Sequence, residues 1–127
     1  MIRALQLRAE QPPNGTAVVL RAGLMTAPSV CRSAERSFDV FGVYGISVEG
    51  VIDRSIRDAC RSERVAGYRQ IRLSTFGRLR AAGFALIATF DHPHFTVVLP
   101  DLVELTLARL NSCFDDPIPN PGGTSPG

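Results

Sequence analysis

Phe84-Ala85-Leu86-Ile87-Ala88-Thr89-Phe90 and Phe95-Thr96-Val97-Val98-Leu99 are nearly continuous apolar runs, and only Asp91-His92-Pro93-His94 lies between them. Runs of this length and composition read as strands with both faces covered, deep in a sheet. A four-residue polar break holding a proline reads as the turn of an antiparallel hairpin. That hairpin decides the fold class. Strict alternation of strand and helix would wind a parallel sheet, whereas two strands in succession predict an α+β fold: a single mixed sheet with helices packed on it.

Downstream of the hairpin, Pro100-Asp101 begins a last helix. Asp101 and Glu104 have the spacing of a capping box, and Val103, Leu107, Leu110 and Phe114 form the apolar stripe. After Asp116 the chain reads Pro-Ile-Pro-Asn-Pro-Gly-Gly-Thr-Ser-Pro-Gly, which has too little apolar surface to offset the entropy of ordering. Residues 1–116 are therefore expected to form one α+β domain and 117–127 a disordered tail.

Upstream, residues 1–10 read as an edge strand or loose arm, followed by a turn at Gln11–Gly15 and a strand at Thr16–Arg21. Pro28 and Ser29 open a helix with Val30, Ala34, Phe38 and Phe41 on its inner face, and Gly42 ends it. A strand is predicted at Gly42–Val48 and a helix at Val51–Ser62, with Ile52, Ile56 and Cys60 inward. Tyr68–Leu73 alternates as a strand should, with Arg69, Ile71 and Leu73 on one face and Tyr68, Gln70 and Arg72 on the other. Ser74 reads as the N-cap of a helix over Thr75–Ala82 that Gly83 closes.

Composition narrows the chemistry. The 127 residues contain 14 basic side chains, all arginine. Without lysine there is no standard P-loop and no Schiff-base chemistry. A GC-rich genome explains most of that bias, although arginine also suits phosphate through its planar fork. Between residues 54 and 80, eight arginines face only Asp58 and Glu63, so an anionic partner would bind there. Cys31, Cys60 and Cys113 are odd in number and far apart, which predicts buried free thiols rather than disulfides or zinc. No signal peptide, lipidation signal or membrane-spanning run is read, and a cytoplasmic protein is expected.

His92 and His94 flank Pro93 in the predicted turn. Two histidines supply at most two metal ligands and nothing completes the set, so no metal is expected and both read as solvated turn residues. His94-Phe95-Thr96 matches the H-x-T element of two-histidine phosphoesterases, but those enzymes need a second copy and this chain has none. Ser47 lies outside any nucleophile elbow, and no catalytic residue is assigned. The ligand-binding candidates are Arg21 at the end of one strand, Tyr44 and Ser47 on the next, and Arg69 and Arg72 on a third. Arginines at strand ends beside a tyrosine suit the diphosphate and ring of a dinucleotide. The plainer reading makes them rim residues paired with Glu49, Asp53 or the acidic C-terminal helix.

Arg21-Ala22-Gly23, followed by Val43-Tyr44-Gly45-Ile46-Ser47, resembles the opening of compact ADP-ribosyltransferase-like toxins. The resemblance covers about thirty residues and implies NAD as the ligand of a small, toxin-like transferase. It also implies a late catalytic glutamate, for which Glu104 is the candidate. The lack of lysine and the tail are similar to small proteins of high-GC actinobacteria. Two alternatives stand beside it. One is a nucleic-acid-binding module built on Arg54, Arg57, Arg61 and Arg64 with Arg69 and Arg72. The other is a non-catalytic interaction subunit of a toxin–antitoxin or defence complex, pairing with another protein or a second copy through its N-terminal strand.

Overall fold

The computed structural model describes residues 7–21 and 26–123. The strands are β1 (Leu7–Arg8), β2 (Ala17–Leu20), β3 (Gly45–Gly50), β4 (Gln70–Thr75), β5 (Ala85–Thr89), β6 (His94–Val98) and β7 (Ile118–Pro119). The helices are α1 (Ala27–Phe41), α2 (Ile56–Cys60), α3 (Phe76–Ala81) and α4 (Glu104–Ser112). Strand order is β1-β5-β6-β3-β2-β4-β7. The fold is α+β, built on a single sheet and closed by a hairpin and a helix, as expected. Every neighbouring pair is antiparallel, so the expected mixture of strand directions gives way to one antiparallel sheet.

The two apolar runs lie side by side, with Leu86 opposite Val97 and Ala88 opposite Phe95. Because side chains alternate along a strand, register assigns every residue to a face. Val18, Leu20, Ile46, Val48, Leu86, Ala88, Phe95 and Val97 share one face. They form the main core with Val30 and Ala34 of α1, Phe76 and Leu79 of α3, and Leu110, Cys113 and Phe114 at the end of α4. On the far face Val19 and Ile71 meet Cys60 and Val65 in a smaller cluster. Burial pushes the Cys60 and Cys113 thiols up, although nearby arginines pull the other way, which fits inert core cysteines. Cys31 is half-buried, and all three cysteines are free.

Local signals set the helix ends. Thr26 caps α1 by accepting from the Ser29 N–H, and Gly42 at φ 80 takes the left-handed turn that stops it. The helix predicted at Val51–Ser62 contracts to Ile56–Cys60, with Ser55 as its N-cap. Thr75, rather than Ser74, caps α3, because Ser74 is buried and donates to the Cys113 carbonyl at 2.7 Å. Val103 is 55% exposed and outside the core, which removes it from the predicted stripe. Asp101 accepts from the Thr106 hydroxyl and the Val103 N–H, and these bonds hold its carboxyl below the usual range. Among the described residues no helix is long and apolar enough to cross a membrane.

The predicted tail is corrected for residues 117–123, while 124–127 lie outside the described residues. Ile118 and Pro119 pair with Ile71 and Gln70. The Asn120 amide donates to the Val65 and Tyr68 carbonyls at 2.9 and 2.8 Å, and its oxygen accepts the Gly122 N–H. Gly122 lies so close to the Cys60–Arg61 backbone that a Cβ there would come within 2.6 Å of it. One side chain making specific bonds orders a segment that hydrophobicity would leave free. Asn120→Ala should cost about 1–2 kcal/mol, because it removes three hydrogen bonds at once. Hydrogen exchange at the Gly122 amide should quicken in that variant, and an unchanged rate would contradict this account.

Candidate functional site

A pocket of about 380 Å³ opens between α1 and the sheet. Its polar lining includes Ser29, Ser33, Arg36 and Ser37 from α1, Arg21 from the end of β2, Ser47 of β3 and Thr96 of β6. Ser29, Ser33 and Ser37 recur every four residues, the spacing that stacks side chains on one helix face. Val40, Phe41, Phe90 and Tyr68 give it apolar and aromatic walls. Ser37 is steadied by donating to the Val43 carbonyl at 2.9 Å.

Arg21 reaches the pocket with its guanidinium fixed on two sides. Its Nη1 donates to the Arg64 carbonyl at 3.1 Å, and its guanidinium carbon lies 5.7 Å from the centre of the Tyr68 ring. Arginine has five N–H donors, and that hydrogen bond uses one of them. Phe90 closes another side. Its φ of 52 is a left-handed conformation that costs energy for a bulky residue. The turn it creates brings the ring edge-on to Phe41 at 5.0 Å and to His94 at 5.0 Å.

Behind Arg21 and Ser47 is a gap too tight for water, lined also by Val19, Val48, Glu49 and His94. Glu49 and His94 are opposite one another in the β3–β6 ladder and are 3% and 1% exposed. Thr89 Oγ1 sits 2.7 Å from His94 Nδ1 and 2.9 Å from Thr96 Oγ1. Arg64 Nε approaches Glu49 Oε1 at 3.7 Å. His94 is thus a buried member of a polar row on the far face, not a solvated turn residue. Its neighbour His92 is exposed and pairs with Glu10.

Of the five predicted ligand residues, the fold brings Arg21 and Ser47 to this pocket and takes the other three elsewhere. Tyr44 stacks on Phe38 with ring centres 4.9 Å apart, outside the lining. Arg69 is exposed at the foot of β4. Arg72 points into the core face, where it donates to the Asp115, Asn111 and Phe114 carbonyls at 2.8, 3.1 and 3.0 Å and to the Asn111 side chain. It caps the C-terminus of α4, as the pairing with the C-terminal helix anticipated in part. The arginine row also disperses: Arg57 is exposed, Arg61 pairs with Asp58, and Arg64 turns toward Glu49. Among the described residues no cluster of three metal-ligating side chains occurs.

The sequence reading missed Arg36, Phe90, Thr96, Glu49 and His94 as site residues. A signal for the last three was present. Ser47 and Glu49 share one strand parity, as do His94 and Thr96, so two apolar strands each carry two polar residues on the same face.

No family model matches the chain, and no curated protein or solved structure matches it.

Proposed function

We propose that the pocket under α1 seats a small anionic molecule carrying a ring, of mononucleotide size, and that the protein is a small nucleotide-dependent enzyme. The observation that carries this is the meeting of Arg21 and Arg36 with a row of hydroxyls and aromatic walls in one cavity. Guanidinium groups bind phosphate through charge-assisted hydrogen bonds, and hydroxyls satisfy its remaining oxygens. Phe41, Phe90 and Tyr68 offer ring faces and edges to a base.

Size favours a mononucleotide over a whole dinucleotide. About 380 Å³ lies near the small end of the roughly 300–1,000 Å³ typical of ligand pockets. The transferase reading with NAD draws its support from Arg21 and Ser47 sharing this cavity, and it would place only one half of NAD inside. Should a carboxylate take part, Glu49 beside the pocket is better situated than Glu104, which is exposed on the first turn of α4.

Isothermal titration with AMP and adenosine tests the reading. AMP should bind, and adenosine, lacking the phosphate, should bind at least tenfold more weakly. Arg36→Met, an exposed change with little cost to folding, and Arg21→Met should each weaken AMP binding about ten- to a hundredfold, the worth of a charge-assisted hydrogen bond. Equal binding of both ligands, or no binding of AMP at millimolar concentration, would contradict it.

A further inference from the structure

The pocket wall formed by Arg21 has a buried ionisable assembly directly behind it. Glu49 on β3 and His94 on β6 face each other across the ladder, an arrangement that sets Cβ atoms about 4.5–5.5 Å apart. Arg64, from the segment after α2, sits 3.7 Å from the Glu49 carboxylate. Its guanidinium lies 5.3 Å from the centre of Phe90, whose ring meets His94 edge-on. The Arg64 carbonyl holds Arg21 at 3.1 Å, and Arg21 enters the pocket. Thr89 on β5 fixes the imidazole through Nδ1. An unbroken set of contacts therefore runs from His94 to the ligand cavity.

Among the described residues, the charged groups around His94 include Glu49 from β3, Arg64 from the α2–β4 segment and Arg21 just after β2; β5 contributes the neutral Thr89. Glu49 thus has Arg64 on one side and His94 across the ladder. A proton on His94 adds one positive charge in a gap that excludes water, where screening is weak. Glu49 is then shared between two cations, and the potential at Arg21 rises. Histidine is the side chain whose charge changes nearest neutral pH.

We propose that His94 and Glu49 are positioning residues that couple protonation to anion binding in this pocket, so that affinity for an anion rises as His94 takes up a proton. The proposal rests on the anionic-ligand reading above. By linkage the coupling runs both ways, and an anion entering the pocket draws a proton onto His94.

The probe is cyclic AMP, a phosphodiester whose single negative charge stays constant from pH 5.5 to 8. Binding to the wild-type chain should strengthen about tenfold from pH 8 to pH 5.5. That is what one charge produces at about 10 Å through an effective dielectric of about 20. Titrations near the midpoint in MES and imidazole buffers should differ in heat, which reports proton uptake without any variant. His94→Gln should flatten the pH profile, so that its affinities at pH 8 and pH 5.5 agree within about threefold. Glu49→Gln should flatten it too, since the protonated imidazole loses its counter-charge. His92→Gln, at the exposed end of the turn, should keep the full profile.

Tight but pH-independent binding with no proton uptake would overturn this proposal and leave the anionic-ligand reading intact. A profile that survives in His94→Gln, or disappears in His92→Gln, would also overturn it. Absence of cyclic AMP and AMP binding at every pH would remove both.

Discussion

Phe95→Ala should lower the unfolding free energy by about 3–5 kcal/mol, the range for emptying a fully buried phenylalanine site. Phe95 has no exposed surface and sits in the middle of β6. Val48 and Ala88 flank it in the two neighbouring strands, and Phe76 of α3 meets it edge-on at 5.0 Å. Gly50 completes the enclosure, since a Cβ there would lie only 3.0 Å from the ring. Neighbours drawn from three elements cannot all collapse into the vacated space, so most of the cavity should persist. Urea unfolding should show a lower midpoint with an unchanged slope. A loss below about 1 kcal/mol would mean that the hairpin is not the centre of the molecule.

Arg72→Leu should cost about 3 kcal/mol by different physics. Leucine replaces only the aliphatic stem, and the main-chain carbonyls of Asn111, Phe114 and Asp115 lose a charged donor where α4 ends. Terminal carbonyls of a helix have no partner within it, and a cation there also faces the negative end of the helix dipole. Arg72 is 5% exposed, so water cannot readily replace it. Hydrogen bonds to charged groups contribute about 1.5–3 kcal/mol, with a further penalty for acceptors left buried. Arg72→Lys should recover only part of the loss, because one ammonium cannot span three carbonyls and an amide. Equal stability of the lysine variant and the wild type would show that charge, rather than the fork, caps the helix.

These two positions show where the sequence was legible and where it was not. The hairpin was readable because continuous apolar strands leave few arrangements other than burial, and Phe95 lies where that pattern puts it. Arg72 shares its strand parity with Ser74, and local alternation cannot tell a solvent face from one that a helix some forty residues later will cover. The segment around Asn120 was misjudged for a related reason. Composition measures apolar area, whereas three hydrogen bonds from a single amide supply the order there. Arg21 follows one strand and Ser47 lies within the next, as local pattern indicates, and both line one cavity. The matching wall from α1 depended on the angle at which that helix crosses the sheet, which no local pattern encodes.

The most direct test of the ligand pocket is an amide chemical-shift titration of the intact chain with AMP. Shifts should concentrate at Arg21, Ser33, Ser37, Ser47 and Thr96, with little change at Arg57, Arg61 and Arg69. Perturbations confined to those three exposed or loosely paired arginines, with the α1 serines unmoved, would contradict the assignment of the site.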